Sequence, residues 1–543
     1  MPRRVVSLTS ETIADVIRAA FERLRAEMEI PAGFPPEVEL EAQKIVDALS
    51  TKTPQENWPH HTAATLDIDF ITIDPEGSMD LDQAVHIERS ESGFTVHYAI
   101  ADVAAFVVPG GAIDLEAQRR GTTLYAPDGR TPLHPPTLSE GAASLLPSEI
   151  RPAAVWTISL DSEGKTTSIA VQRGLVRSRQ RFSYVRAQEL SDELAGSQRT
   201  AREDELVGLP TIELLAQVGP LRLAAESARG GVSLNVPEQE VHVTADGGFE
   251  LSFRRVLPIE NWNAQISLLT GISAAELMLH VGTGLLRTLP PADPRDLKRL
   301  RRTAHALGLN WRKDVSYGDF LATLDSANPT HAAFQHEATT LFRGADYMAF
   351  STDPRSGNPL GREDKPLLDP FESARSVTGK HNAIGAHYAH VTAPLRRLGD
   401  RYTTEIALAA SSGTEIPQWV IDVLPQLPQL LNSATRRANS YGRSTTDIVE
   451  AALLSNRIGE LFDAVVVELD DRNFKKGEVM VSDPAVHAKV QSTEKLPLGH
   501  EVQVKLLQSD VDTQKIAFEL AQTFDGAVEA SSEPENDYRE GAH

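Results

Sequence analysis

The segment ITIDPEGSMDLDQAVHIE brings three aspartates, Asp74, Asp80 and Asp82, into one short stretch of chain. Asp80 and Asp82 are two apart and point to the same side of a strand. A turn through Pro75–Gly77 folds Asp74 back toward them. Three carboxylates brought together without basic neighbours repel one another unless a cation lies between them. Hard oxygen donors, with no cysteine and no nearby histidine pair, favour Mg²⁺ or Mn²⁺ over zinc. The same spacing also suits a solvated acidic turn, because aspartate is a common turn residue.

A second constellation is HYAHVTAPLRRLGDRY. Arg396 and Arg397 follow Pro394, which is predicted to open a helix, with Tyr388, His390 and Thr392 just before. Two guanidiniums at a helix start, together with free backbone N–H groups, suit a phosphate. An arginine pair bridging surface carboxylates such as Asp400 fits the same residues. In RRGTTLYAPDGRTPLHPP, Tyr125 precedes a tight turn that can offer its ring to a base, and stacking is worth about 1–3 kcal/mol per base. A core tyrosine is the other reading. The basic run VRSRQRF (Arg177, Arg179, Arg181) can line a path for a nucleic-acid backbone, whereas DLKRLRRT reads as an exposed helix face.

These groups need a scaffold to position them. Residues 10–50 read as two helices broken at IPAGFPP, with Ser10 as a cap. From about residue 65 the period changes to two: LDIDFITID and FTVHYAIADVAAFVV are predicted strands, and VWTISLDSEGKTTSIAVQRGLVRS is a hairpin turning at Glu163–Gly164. Residues 255–350 read as mainly helical, and GAHYAHVTAPLRRLGDRYTTEIALAA as a further helix. Five short strands over 457–523 suggest a small closed barrel of the oligonucleotide-binding kind, with Phe462, Phe474 and Phe518 as its main aromatics. The tail from Asp525 is acidic and poor in aliphatic residues, so disorder is expected.

Composition bounds the rest. The chain has 543 residues and a formal charge of −23, with 41% hydrophobic and 24% charged residues, which suits two to four globular domains. Net acidity argues against a surface coated in nucleic acid but leaves a local basic channel open. Cysteine is absent, which removes disulfides, thiolate metal sites and cysteine nucleophiles. No apolar run of membrane-spanning length and no signal-peptide core is read, so a soluble, cytoplasmic protein is expected, with no membrane partner.

The order and spacing of the motifs resemble the catalytic domain of the ribonuclease II / ribonuclease R family of 3′→5′ exoribonucleases. The likeness runs over roughly residues 30–455 and rests on TID followed by D-x-D, IADVAAFV, RRGTTLYAPDGRTPL, ARGGVSLNVPEQEV, the IEN helix start and YAHVTAPLRRLGD. It implies an α/β (α+β) fold in which a mixed sheet is wrapped by helices and RNA reaches the aspartates by a narrow channel. The implied boundaries are a helical segment at 1–64, a ribonuclease II-type catalytic domain at 65–455, an S1/OB-like barrel at 456–523 and an acidic tail at 524–543. The family's usual N-terminal cold-shock barrels are not expected. Residue by residue, the resemblance gives Asp74, Asp80 and Asp82 three of the family's four active-site aspartates, with Asp82 the most critical to cleavage. It gives Tyr125 the stack on the 3′-terminal nucleotide and Arg396 the scissile phosphate. Tyr388, His390 and Arg397 are taken as further RNA contacts. Gln83 stands at the fourth aspartate position, as a neutral metal ligand. A downstream glutamate of the family has no counterpart near Ser440, and Gln265 replaces an acidic residue. Asp102 is a candidate to fill the gap. The implied activity is Mg²⁺-dependent (Mn²⁺ as the other ion) hydrolysis of single-stranded RNA to nucleoside 5′-monophosphates. The alternative is an RNA-binding protein with a degenerate site.

Overall fold

The computed structural model describes residues 10–49, 66–196, 201–233, 238–325, 328–353, 355, 379–470 and 472–524. The two N-terminal helices are α1 (Ser10–Glu27) and α2 (Pro36–Leu49). At helical spacing, α1 places Ile17, Phe21 and Leu24 into an apolar cluster with Phe249, Tyr441 and Ile448. The expected disordered tail from Asp525 lies outside the described residues.

Where the period changes to two, the sheet closes on itself. The strands are β1 (Phe70–Asp74), β2 (Gln83–Ser90) and β3 (Gly93–Ala101), and helix α3 (Ala112–Arg120) follows. Next come the short hairpin β4 (Leu124–Ala126) and β5 (Gly129–Thr131), then β6 (Ile150–Asp161) and β7 (Thr166–Ser183). They form a five-stranded barrel in the order β1-β2-β3-β6-β7. Closure comes from β1, which runs antiparallel to β2 and parallel to β7. The hairpin read at Glu163–Gly164 is present, with Gly164 at φ +77°. β1 feeds two apolar clusters at once: Ile71 and Ile73 pack with Tyr98 and Trp156, whereas Phe70 packs with Val38, Leu81 and Leu395. A strand buried on both sides reads as a near-continuous apolar run, which FITI is apart from the buried Thr72.

Helices cover the barrel. α4 (Tyr184–Ala195) and α5 (Leu209–Ala228) are followed by the hairpin β8 (Glu238–Val243) and β9 (Phe249–Arg254), then α6 (Pro258–Val281). By length and composition α6 is apolar enough to cross a membrane, a run the bare sequence reading did not register. Its Ile259, Ile266, Leu269, Ala275 and Met278 are in fact buried against the barrel and its helices. The region read as mainly helical also holds the paired strands β10 (Thr283–Thr288) and, after α7 (Pro294–Ala306), α8 (Tyr317–Ala322) and α9 (Pro329–Ala338), β11 (Asp346–Ser351).

The predicted helix through GAHYAHVTAPLRRLGD is corrected. α10 begins only at Leu398 (Leu398–Ser412), and α11 (Gln418–Val423) and α12 (Leu427–Leu454) follow. Residues 391–397 form a turn because their backbone groups are engaged elsewhere. The Ala393 N–H donates to Asp400, the Leu395 N–H donates to Asp82, and the Arg396 carbonyl accepts from the Thr123 N–H. The chain ends in a second closed barrel, β12 (Leu461–Asp470), β13 (Asn473–Ser482), β14 (Ala485–Gln491), β15 (Glu501–Asp510) and β16 (Lys515–Thr523), in the order β12-β13-β14-β16-β15. Phe462 and Phe518 are core there and only Phe474 is exposed. Val465 and Val467 bind this barrel to Leu300 and Phe334 of the helical layer.

The tightest packing under the site is at Gly271 of α6. A Cβ there would lie 2.1 Å from the Tyr388 ring and 2.7 Å from the Ala389 carbonyl oxygen. Gly271→Ala is therefore expected to destabilise the protein by about 1–3 kcal/mol, the usual cost of overpacking a filled core, read as a lower urea midpoint. An unchanged midpoint would contradict this packing.

Candidate active site

β1 delivers Asp74 at its end, and the chain turns with Gly77 at φ +80° before Asp80, Leu81 and Asp82 lead into β2. Asp80 and Asp82 were expected on a strand; they lie in the extended residues just ahead of it. Leu81 between them is fully buried, its N–H donating to the Ser144 hydroxyl and its carbonyl accepting from the Leu145 N–H. Those bonds fix Leu81 inward and leave its two neighbours to the other side.

Each aspartate has a different partner. Asp82 is buried; its Oδ1 accepts the Leu395 N–H at 2.7 Å and its Oδ2 lies 3.3 Å from the Arg396 Nε. Burial pushes its carboxyl up to about 7, against the pull of Arg396 and the Leu395 N–H. Asp74 is pushed up to about 6, mainly by burial and further by Asp80, and Arg396 opposes the rise. Its Oδ2 is buried without a hydrogen-bond partner. Asp80 accepts from the Arg130 Nη1 at 2.8 Å and from the Tyr125 hydroxyl at 3.4 Å. The acidic turn is thus not a solvated one.

Two partly desolvated anions and one orphaned oxygen are what a hard divalent cation satisfies, and every donor is oxygen. Asp74, Asp80 and Asp82 therefore fit such an ion. They are not already gathered about one point. Among the described residues, the three such side chains whose ligand atoms lie within 4.8 Å of one another are His336, Glu468 and Glu478, where α9 meets the C-terminal barrel. At the aspartates, Arg396 and Arg130 supply the positive charge instead.

The other expected site residues divide. Tyr125 is 48% exposed, so it is the surface ring and not the core tyrosine. Arg396 keeps 45% of its side chain exposed while touching Asp82. Arg397 turns inward to Asp400 at 2.7 Å and Thr392 at 3.3 Å, so the ion-pair reading holds for this arginine. Tyr388 is buried in edge contact with His381 and His390. His390 bonds the Tyr347 hydroxyl at 2.9 Å, and burial beside Arg397 and Arg287 holds its imidazole well below its ordinary value. Tyr388, His390 and Arg397 are thus engaged within the protein in the packed wall behind the Arg396 turn, Tyr388 through ring contacts, His390 through Tyr347 and Arg397 through Asp400.

Gln83 is placed at the start of β2, where its Oε1 accepts the Tyr98 hydroxyl at 2.6 Å and faces the Ser267 hydroxyl at 3.4 Å. Asp102 does not fill the gap, since its Oδ2 accepts from the Arg173 Nε at 2.9 Å. Gln265 donates to Glu226 at 2.9 Å, inside the protein, and Ser440 is exposed on α12. Of the basic run, Arg179 is tied to Asp67 and Asp69, and Arg181 to the Ser78 carbonyl. Sequence reasoning missed Arg130, Glu140 and the Leu395 N–H. Arg130 was only partly legible: Asp128-Gly129 signals a hairpin, but the turn formed is Pro127–Asp128, with Ala126 opposite Gly129, and it is this register that sets Arg130 opposite Tyr125.

Known proteins share this architecture. Residues 65–411 match the RNB domain and residues 460–521 the RNase II-type exonuclease C-terminal S1 domain. Ribonuclease R of Aquifex aeolicus is 25% identical over 532 residues, covering 90% of this chain and 68% of that protein. Ribonuclease R of Escherichia coli is 26% identical over 537 residues, covering 91% and 61%. The chain spans about three-fifths of the length of several such relatives. The solved structure of Mycoplasma genitalium RNase R in complex with ribose methylated single-stranded RNA shares the fold, with a TM-score of 0.77 at 20% identity, over 93% of this chain and 78% of that one. With the catalytic fold matched over more than half of its 543 residues and the C-terminal barrel behind it, the chain belongs to the RNB domain family.

Proposed function

We propose that this chain is a divalent-metal-dependent 3′→5′ exoribonuclease that releases nucleoside 5′-monophosphates from single-stranded RNA. The observation that carries the reading is Asp82, an anion held out of water by the Leu395 N–H and Arg396, beside the partnerless Asp74 oxygen. Burying carboxylates in this way costs stability unless a cation repays it. Asp74, Asp80 and Asp82 would hold Mg²⁺ or Mn²⁺, which when bound supplies an activated water and a Lewis acid for the leaving oxygen. Arg396 reaches from Asp82 toward solvent, so its outer N–H groups are placed to neutralise phosphoryl oxygens. Tyr125, exposed beside Asp80, offers a face to the terminal base. The second reading, an RNA-binding protein with a weak or inactive site, is favoured by Gln83, a neutral side chain that brings no charge to a metal and whose oxygen already accepts the Tyr98 hydroxyl.

The deciding experiment incubates the purified protein with 5′-labelled single-stranded poly(A) and Mg²⁺, Mn²⁺ or EDTA. Shortening from the 3′ end with mononucleotide release, stopped by EDTA, is expected. Cleavage of circular RNA, or indifference to EDTA, would overturn the proposal. RNA binding without shortening in either ion would select the second reading.

Two variants separate chemistry from grip. Asp82→Asn should lower turnover at least ~100-fold, as loss of a metal ligand does, with RNA affinity by fluorescence anisotropy within a few-fold. Tyr125→Ala should lengthen the final undigested product and raise KM several-fold, since one stacked base is lost. Full turnover by Asp82→Asn would remove Asp82 from the mechanism.

The pH dependence has a definite sign. Asp82 near 7 and Asp74 near 6 are above the ordinary carboxyl value, so protons compete with metal below neutrality. Metal affinity should rise from pH 6 to pH 8. The same shifts mean that the metal-free fold holds these protons more tightly than the unfolded chain. Their contribution to stability is therefore full below about pH 4, the ordinary carboxyl value, and is lost as pH rises from there through 6 and 7. The gain in Tm on adding Mg²⁺ should accordingly be larger at pH 8 than at pH 6, and a pH-independent gain would contradict the assignment.

A further inference from the structure

Arg130 is the cation nearest Asp80, and it is shared. Its Nη1 lies 2.8 Å from the Asp80 Oδ1, and its Nη2 and Nε lie 2.8 and 3.1 Å from the Glu140 Oε1. All three side chains are partly buried, with 27%, 14% and 27% of Arg130, Asp80 and Glu140 exposed. Two carboxylates on one guanidinium leave the trio with a net negative charge, so neither acid is fully neutralised. Glu140 sits on a helical turn, Thr137–Ala142, secured by the Leu138 N–H to the Pro135 carbonyl and the Ser139 hydroxyl to the His134 carbonyl. Arg130 is instead on the short β4–β5 hairpin, directly opposite Tyr125, whose hydroxyl touches the same Asp80. Cross-strand partners share one face, so both hairpin side chains converge on one carboxylate.

We propose that Arg130 is a positioning residue, the resident counter-cation of Asp80, and that it is handed over to Glu140 when Asp80 ligates a divalent ion. Glu140 is therefore the acceptor that lets the exchange happen, and the pair sets how much metal the site requires. A divalent ion on Asp80 repels the guanidinium, and Glu140 is already within bonding distance to keep it paired. Since Arg130 and Tyr125 reach Asp80 from one face of one hairpin, the exchange loosens both contacts and frees the tyrosine ring for a base. The inference rests on reading Asp80 as a metal ligand; it does not depend on RNA being cleaved.

The test is Mn²⁺ binding by calorimetry, at pH 8 and without RNA, on the full chain and its variants. Arg130→Met, which keeps the stem and removes the charge, should bind Mn²⁺ about two- to five-fold more tightly, the range a partly exposed ion pair supplies. Glu140→Gln should bind it about two- to five-fold more weakly, because Arg130 is then left wholly to Asp80. Arg130→Lys should restore most of the wild-type affinity. In the Arg130→Met background, Glu140→Gln should have no further effect. A loosened fold would weaken binding in both single variants, so opposite signs exclude it; additive charge effects would give those same signs, and the exchange is identified by the loss of the Glu140→Gln effect once Arg130 is gone. Unchanged or weaker binding by Arg130→Met overturns the proposal, as does a Glu140→Gln effect that persists without Arg130. If Asp80→Asn binds Mn²⁺ as the wild type does, the assignment of Asp80 itself fails; if it binds weakly while the Arg130 and Glu140 variants do not differ, only the exchange fails.

Discussion

The contact on which the site depends is the bond from the Leu395 N–H to the Asp82 carboxylate, between residues 313 apart in the sequence. Everything around it is arranged to make it possible. Asp82 needs β2 to start where it does, and the Ala101 N–H on its carbonyl fixes that start against β3. Leu395 needs a turn instead of a helix, and Asp400, Thr122 and Thr123 take up the backbone groups that a helix would use. Beneath the turn, α6 must come close enough for the Gly271 carbonyl to accept the Ala389 N–H at 3.1 Å, which only a residue without a side chain permits. The glycine on the helix and the anion in the cleft are thus parts of one constraint.

The electrostatics follow from that burial. Asp74 and Asp82 are both raised by loss of water, and Arg396 opposes the rise at each. Arg396 therefore acts on both anions at the centre of the site, with Arg181 near Asp74 and Arg397 near Asp82, and Arg130 is shared by another two carboxylates at its edge. A protein optimised for stability alone would pair these charges one to one or replace them with apolar groups. Too few cations for the carboxylates present is the arrangement of a site that expects more positive charge to arrive, from a metal ion and its ligand together.

Much of this was legible in the sequence because the signals are local. The period of two gave the strands, the five regular short strands gave the C-terminal barrel, and the spacing of Asp74, Asp80 and Asp82 gave the carboxylate cluster. What failed was whatever depended on partners far along the chain. Pro394 followed by LRRLGD has the composition of a helix start, and nothing local reveals that Asp82 and Asp400 will claim the neighbouring N–H groups. Arg396 and Arg397 are adjacent and chemically identical, yet one faces the cleft and the other the buried Asp400; side-chain direction at the end of a turn is set by tertiary contacts. Tyr388 and His390 looked available because polar aromatic residues beside an arginine pair usually are. Here they bond and pack with Tyr347 and His381.

Gln83 shows how a departure in the site is absorbed by its surroundings. A carboxylate at the start of β2 would stand beside Asp82 as one more anion in a region where Asp82 and Asp74 already resist ionisation. It would face the fully buried Tyr98, whose hydroxyl is itself pushed up by burial and by those two aspartates. The amide removes that repulsion and still provides an acceptor, so the Tyr98 hydroxyl is satisfied at 2.6 Å and Ser267 closes the group from α6. A neutral residue here thus eases the metal-free fold and at the same time withholds one charge from any ion. In the proposed site the hold on a metal would then fall more heavily on Asp80, the one of the three aspartates whose counter-charge comes from the β4–β5 hairpin and not from the buried turn. With a neutral residue at the base of such a site, the partner of the carboxylate at its rim matters most.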